Sequence, residues 1–196
     1  NVTRENLSRI VDVAVGPEKT WSIIDEKRNR IYTYDFDGNL LFAFGDNGTM
    51  LGNLGSIEAI AYQGTNMLIL DKTNDNITVF QRTEYGNILL QAIAAESTQD
   101  FDLAINLWTD VLKRNSNFDT AYIGIGNALA RLHKYEEAVE QYKLAYDTAN
   151  YSLAFGELRQ QWISNYLWTL PLAAAVLIFA IAKFLKYANK VNKRVS

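Results

Sequence analysis

The stretch "YDFDGNLLFAFG" (Tyr34–Gly45) admits two readings. Asp35, Asp37 and Asn39 alternate around Gly38, as oxygen ligands do at the start of a calcium loop. The same residues also suit a turn between two strands. A helix–loop–helix calcium site needs helices on both sides and a glutamate well downstream. Here the flanks are Ile31–Tyr34 and Leu40–Phe44, both β-branched or aromatic runs. Asp-Gly between two such runs is a strong hairpin signal. The stretch is therefore expected to be a turn, with no metal.

The segment before it recurs. "VDVAVGPEKTWSIIDEKRNRIYTY" (Val11–Tyr34) aligns with "IEAIAYQGTNMLILDKTNDNITVF" (Ile57–Phe80) at an offset of 46. Asp12 falls on Glu58, Asp25 on Asp71, Ile31 on Ile77 and Tyr34 on Phe80. Each copy predicts three strands, at Val11–Val15, Trp21–Ile24 and Ile31–Tyr34, then at Ile57–Ala61, Met67–Leu70 and Ile77–Phe80. A period near 46 with several strands per unit suggests a β-propeller blade.

The copies resemble the NHL repeat. The residues that carry the likeness are "VDVAV", the strand closing on Asp25, "NRIYTY", the "DFDGNLLFAFG" hairpin and the Gly-rich crossing "GDNGTMLGNLGS" (Gly45–Ser56). The second copy keeps "IEAIA", Asp71 and "NDNITVF". The resemblance implies two blades of a partial propeller over residues 1–82, with Asp25 and Asp71 as structural markers. It also implies further blades ahead of Asn1, because two blades cannot bury their own faces.

From Thr83 the apolar period changes from two to 3.6. Thr83 reads as an N-cap, and Ile88, Leu89, Ala92 and Ile93 share one helical face. "DLAINLWTDVL" (Asp102–Leu112) aligns with "EEAVEQYKLAY" (Glu136–Tyr146) at an offset of 34, pairing Ala104 with Ala138, Trp108 with Tyr142 and Val111 with Ala145. This spacing resembles the tetratricopeptide (TPR) repeat, with Tyr122, Ile125 and Gly126 at its large, apolar and small first-helix positions. The likeness implies helical hairpins over residues 83–150 and a capping helix over 151–165. It places Ile123, Asn127, Ala130 and Arg131 on a concave partner-binding face, where Asn127 and Arg131 would hold a carboxylate or backbone group. Trp108, Tyr122 and Tyr142 are expected in the core. His133, the one histidine, is expected in a solvent-exposed turn.

"YLWTLPLAAAVLIFAIAKFL" (Tyr166–Leu185) is long enough, as a helix, to cross about 30 Å of hydrocarbon. Trp162, Tyr166 and Trp168 gather at one end as interfacial aromatics, and Lys183 and Lys186 at the other. A membrane helix is expected over 166–187, then a basic tail over 188–196. Lys183, Lys186, Lys190, Lys193 and Arg194 place that tail in the cytoplasm by the positive-inside rule, and the earlier regions outside. The fold class expected is thus multidomain β + α: a partial β-propeller, then TPR hairpins, then a single transmembrane helix.

The chemistry-bearing residues are few. With no cysteine, thiolate metal sites, disulfides and cysteine nucleophiles are excluded. The net charge is −3, and the acidic body lacks the basic patches that nucleic acid requires. No catalytic residue, metal or cofactor is assigned. Sequons stand at Asn1, Asn6, Asn47, Asn76 and Asn150.

The order of modules resembles a group of Gram-positive bacterial membrane proteins that continue into a Yip-type membrane domain. "AYIGIGNALARLHKYEEAVEQYKLAYD" (Ala121–Asp147) carries that likeness. It implies a non-enzymatic, membrane-anchored extracytoplasmic scaffold with membrane-associated protein partners, accessory to a carbohydrate ABC transporter. Two alternatives stay open: an extracellular ligand or glycan sensor, and a fragment of a propeller lyase or lactonase.

Overall fold

Runs of alternating β-branched and aromatic residues build the first half. The computed structural model describes residues 7–48, 50 and 52–195, with side chains as far as Lys186. The sequons at Asn1 and Asn6, Thr49 of the Asn47 sequon, and Ser196 lie outside the described residues. Strands β1 (Ile10–Val15), β2 (Trp21–Asp25), β3 (Arg30–Tyr34) and β4 (Leu40–Phe44) form an antiparallel sheet in the order β1-β2-β3-β4. Strands β5 (Ile57–Gln63), β6 (Asn66–Asp71) and β7 (Asn76–Phe80) form a second, in the order β5-β6-β7.

The two sheets share one internal plan. Trp21 pairs with Tyr34 and Ile24 with Ile31, while Met67 pairs with Phe80 and Leu70 with Ile77, a constant shift of 46. The first strands shift by 47 instead: Val13 pairs with Ile23, and Ile60 with Ile69. Asp12 therefore corresponds to Ala59 rather than Glu58, because the β1–β2 loop is one residue longer.

The aspartate ending each second strand explains the repeat. Asp71 accepts from the amides of Gly55 (2.6 Å), Ser56 (3.1 Å), Thr73 (3.0 Å) and Asn74 (3.2 Å), and from Asn74 Nδ2 (2.8 Å). Asp25 accepts from the amides of Arg9 (3.1 Å) and Arg28 (3.3 Å), and from Arg28 Nη1 (2.9 Å). Each carboxylate thus ties the approach to its sheet's first strand to the turn after the second. Asn29 and Asp75, 46 apart, both take φ near 48° to close that turn.

The strands do not form the expected partial propeller. The strands make two open antiparallel sheets, of four and three strands, that close no ring, and no propeller blades are found; six helices follow among the described residues. The physical reason is one of range. The recurring aspartates specify hydrogen bonds inside a unit, whereas a ring depends on contacts between units.

The sheets pack face to face. Ile24 and Ile31 of the first sheet meet Ile57, Ile60, Met67 and Ile69 of the second in one apolar core. Polar contacts cross it: Ile60 N donates to Asp12 Oδ2 (2.8 Å), and the Ser22 hydroxyl, bonded to Thr33 in its own sheet (2.7 Å), also bonds the Tyr62 hydroxyl (2.7 Å). Burial raises the Tyr62 phenol, although Ser22 and Thr33 oppose it.

Helix α1 (Glu84–Ser97) follows β7 after a three-residue link, where the Thr83 hydroxyl accepts from Gly86 N (3.1 Å). Helices α2 (Phe101–Arg114), α3 (Asp119–Arg131), α4 (Tyr135–Leu144) and α5 (Thr148–Tyr166) each pack on the one before. The turns after α1 and α3 repeat at 34. Gln99 and His133 take φ of 63° and 59°, and the next amides, Asp100 and Lys134, each reach back five residues to the carbonyls of Ala95 and Leu129 (2.9 Å). Ala104, Trp108 and Val111 are buried, as are Ala138, Tyr142 and Ala145 at the matching positions. Tyr122 departs from expectation: it is half-buried, and its hydroxyl turns back to the Ser116 carbonyl (3.1 Å). His133 is exposed, with Nδ1 2.9 Å from the Tyr135 hydroxyl.

Helix α6 (Thr169–Val195) has no residue buried against the other described residues over Thr169–Lys186. By length and apolar composition that segment can cross a membrane, which is consistent with a single-pass membrane protein.

Candidate functional site

Helix α3 carries the residues that define a groove. Asn127, Ala130 and Arg131 line it with Tyr142 of α4, Glu96 of α1 and Phe101 of α2, and it encloses about 290 Å³. The fourth position assigned to this face, Ile123, lies elsewhere, half-buried against the helical core. The remaining wall comes from the β3–β4 turn, through Phe36 and Asp37. The opening aspartate stretch therefore meets the helices.

That turn is held by its own backbone. Asp35 accepts from the amides of Asp37 (3.0 Å) and Asn39 (2.8 Å) and from Asn39 Nδ2 (2.9 Å), and Gly38 takes φ of 88°. The Asp35 carbonyl accepts from Trp21 Nε1 (2.7 Å), and the Trp21 ring stacks on Tyr34 at 4.5 Å. With the Asp35 carboxylate spent on the turn, the Phe36–Asp37 tip is set against the groove.

The helical side is equally fixed. The Tyr142 hydroxyl donates to Asn127 Oδ1 (2.8 Å), and burial raises that phenol to about 12, with the Asp147 charge adding. The bond orients the Asn127 amide. Among the described residues its nitrogen has no hydrogen-bond partner, and the exposed Arg131 guanidinium has no ion pair. Trp108 Nε1 donates to Glu96 Oε1 (2.8 Å). Burial raises the Glu96 carboxyl; the Trp108 bond opposes this, and the charges of Asp35 and Asp37 add to it. The groove thus offers amide and guanidinium donors from α3 and carboxylates from Glu96 and Asp37. Such a surface suits polar contact with a peptide or protein segment.

Two glycines let α3 approach the Tyr142 and Trp108 rings closely. A Cβ on Gly126 would lie 2.7 Å from the Tyr142 ring, and one on Gly124 would lie 2.6 Å from Trp108 Cε2 and closer still to Nε1. Glu96, Phe101, Phe36 and Asp37 carry no sequence signal for this role. They arrive by juxtaposition of a hairpin with helices far along the chain.

A second recess, of about 340 Å³, opens between the sheets and α1. Phe42, Phe44, Phe80, Tyr85 and Leu89 are among its walls. At its rim Arg82 pairs with Glu18 through both nitrogens, at 3.0 and 2.6 Å.

The membrane-end residues are exposed: Trp162 at 62%, Tyr166 at 52% and Trp168 at 65%. The Trp162 and Tyr166 rings lie 5.0 Å apart. Lys183 Nζ stands 5.8 Å from the Phe179 ring, and Lys186 is exposed. Among the described residues no group of three His, Asp or Glu side chains is placed to hold a metal ion. No family model matches this chain, and no curated protein matches it.

Proposed function

We propose that this protein is a non-enzymatic, membrane-anchored interaction scaffold. The observation that carries the reading is the α3 groove, where the Asn127 amide, oriented by Tyr142, presents a nitrogen with no hydrogen bond and the exposed Arg131 guanidinium has no ion pair among the described residues. The resemblance of the helical segment to TPR repeats supports a protein partner, engaged through a carboxylate or backbone carbonyl. Helix α6 anchors the chain in the cell membrane, with Trp162, Tyr166 and Trp168 at one interface and Lys183 and Lys186 at the other. The basic residues beyond α6's apolar segment put the tail in the cytoplasm and the sheets and helices α1–α5 outside. Resemblance to the Gram-positive group makes subunits of a sugar ABC transporter the candidate partners.

Affinity capture of the full-length protein from its native membrane tests this. Recovery of transporter subunits, lost on Asn127→Ala with Arg131→Ala, supports the reading. Repeated capture with no membrane partner sinks it.

The recess beside α1 favours a second reading, a small-ligand sensor. Its aromatic walls suit an apolar molecule better than a glycan. Calorimetric titration of the full chain with apolar and glycan ligands separates the sensor from the scaffold, which binds neither.

A further inference from the structure

The shared plan of the two sheets lets their faces be compared position by position. Ile24 and Ile31 of the first sheet are fully buried against the second. Their counterparts 46 residues on, Leu70 and Ile77, are 41% and 62% exposed. The other faces show the converse. Ile60 is buried against the first sheet, whereas its counterpart 47 residues earlier, Val13, is 59% exposed. The internal interface is therefore directional, the front of one sheet lying on the back of the next. Among the described residues, the second sheet keeps an uncovered apolar front, and the first an uncovered apolar back.

We propose that a second copy of this chain docks head to tail, the back of its first sheet covering the front of the second sheet. The occupant follows from the interface already inside the chain. The missing cover is a surface that the chain itself presents, and the new contact continues the existing one in the same sense. Two fronts meeting about a two-fold axis would instead create a contact with no template in the fold. The exposed front is registered across strands: Ala59 pairs with Leu70 and Leu70 with Ile77, so the apolar row runs over all three strands. Continuous apolar rows of this kind mark association surfaces.

The template also assigns a contact. Inside the chain, Ser22 of the front touches Tyr62 of the back. Advancing Ser22 by 46 gives Leu68; moving Tyr62 back by 47 gives Val15, which is 80% exposed. Leu68 of one copy is therefore placed against Val15 of the next. Head-to-tail contacts propagate, so the assembly can exceed two copies.

The cysteine-free sequence makes a clean test. Full-length Leu68→Cys and Val15→Cys chains are prepared separately in detergent micelles, mixed and oxidised. The expected result is a disulfide-linked pair in the mixture only, reduced at least tenfold when Ile77→Lys is added to the Leu68→Cys chain. No cross-link in the mixture overturns the proposal. So does a cross-link in either single-variant sample, or one that Ile77→Lys leaves unchanged.

Discussion

At the scale of single residues, Asp71 shows how a buried charge is made tolerable. Burial pushes its carboxyl up, but the amides of Gly55 and Ser56 and the Asn74 side chain outweigh this and hold it at about 2, against an ordinary 3.8. A depressed carboxyl stabilises the fold fully above its ordinary value, and that contribution is lost as pH falls through the folded value. The second sheet should therefore weaken as pH falls from about 4 to about 2. Asp71→Asn should remove this pH dependence and cost about 2 kcal/mol at neutral pH, measured by urea unfolding. A variant as stable as the parent would contradict the role. Glu96 has the opposite sign. Burial and the aspartates of the hairpin raise its carboxyl, so its charge opposes folding above the ordinary value. Glu96→Gln can still accept from Trp108, and is expected to raise Tm by ~2–4 °C near neutral pH. A lower Tm would show that the charge is needed.

At the scale of elements, α3 packs by leaving out side chains. Gly126→Ala gains about 1 kcal/mol of helix propensity in isolation. Here its Cβ would meet Tyr142 ring carbons at 2.7, 2.9 and 3.0 Å, and that ring is tethered to Asn127. Overpacking of this kind costs about 1–3 kcal/mol, so net destabilisation is expected in denaturant melts followed by circular dichroism. Stabilisation would mean that Tyr142 can retreat. Much at this scale was legible in the chain. Alternation placed the strands, Asp-Gly placed the β3–β4 turn, and Thr83 placed the start of α1, because each is a short-range signal. The offset of the first strands was misread, since Glu58 invites pairing with Asp12 while hydrogen-bond register assigns Ala59. The propeller expectation failed because a repeat reports the unit and not its closure. At the groove, the TPR likeness set Asn127, Ala130 and Arg131 on one helical face together with Ile123, which packs against the helical core instead. Glu96, Phe101, Phe36 and Asp37 were not legible, because only folding brings them there.

At the scale of the whole molecule, the sheets and helices meet at the hairpin-walled groove, at the recess beside α1 and through single side chains. Leu41 of β4 enters the helical core, and Arg82 in the β7–α1 link pairs with Glu18 in the β1–β2 loop. Beyond the helical array, α6 leaves an apolar surface bare. The full chain should stay in the membrane pellet through an alkaline carbonate wash, while a chain ending at Trp168 should be released. Ser116→Cys, in the exposed α2–α3 turn, should react with an impermeant maleimide added outside intact cells. Labelling only after lysis would reverse the orientation. The groove has one more property. Trp21 hangs on the hairpin wall through the Asp35 carbonyl, and Trp108 hangs on the helical wall through Glu96. A segment entering between them would disturb both indoles from behind, without touching either. The protein thus carries its own optical gauge: a shift in the emission of these two tryptophans would register occupancy with no dye attached, while Trp162 and Trp168 would answer instead to lipid quenchers.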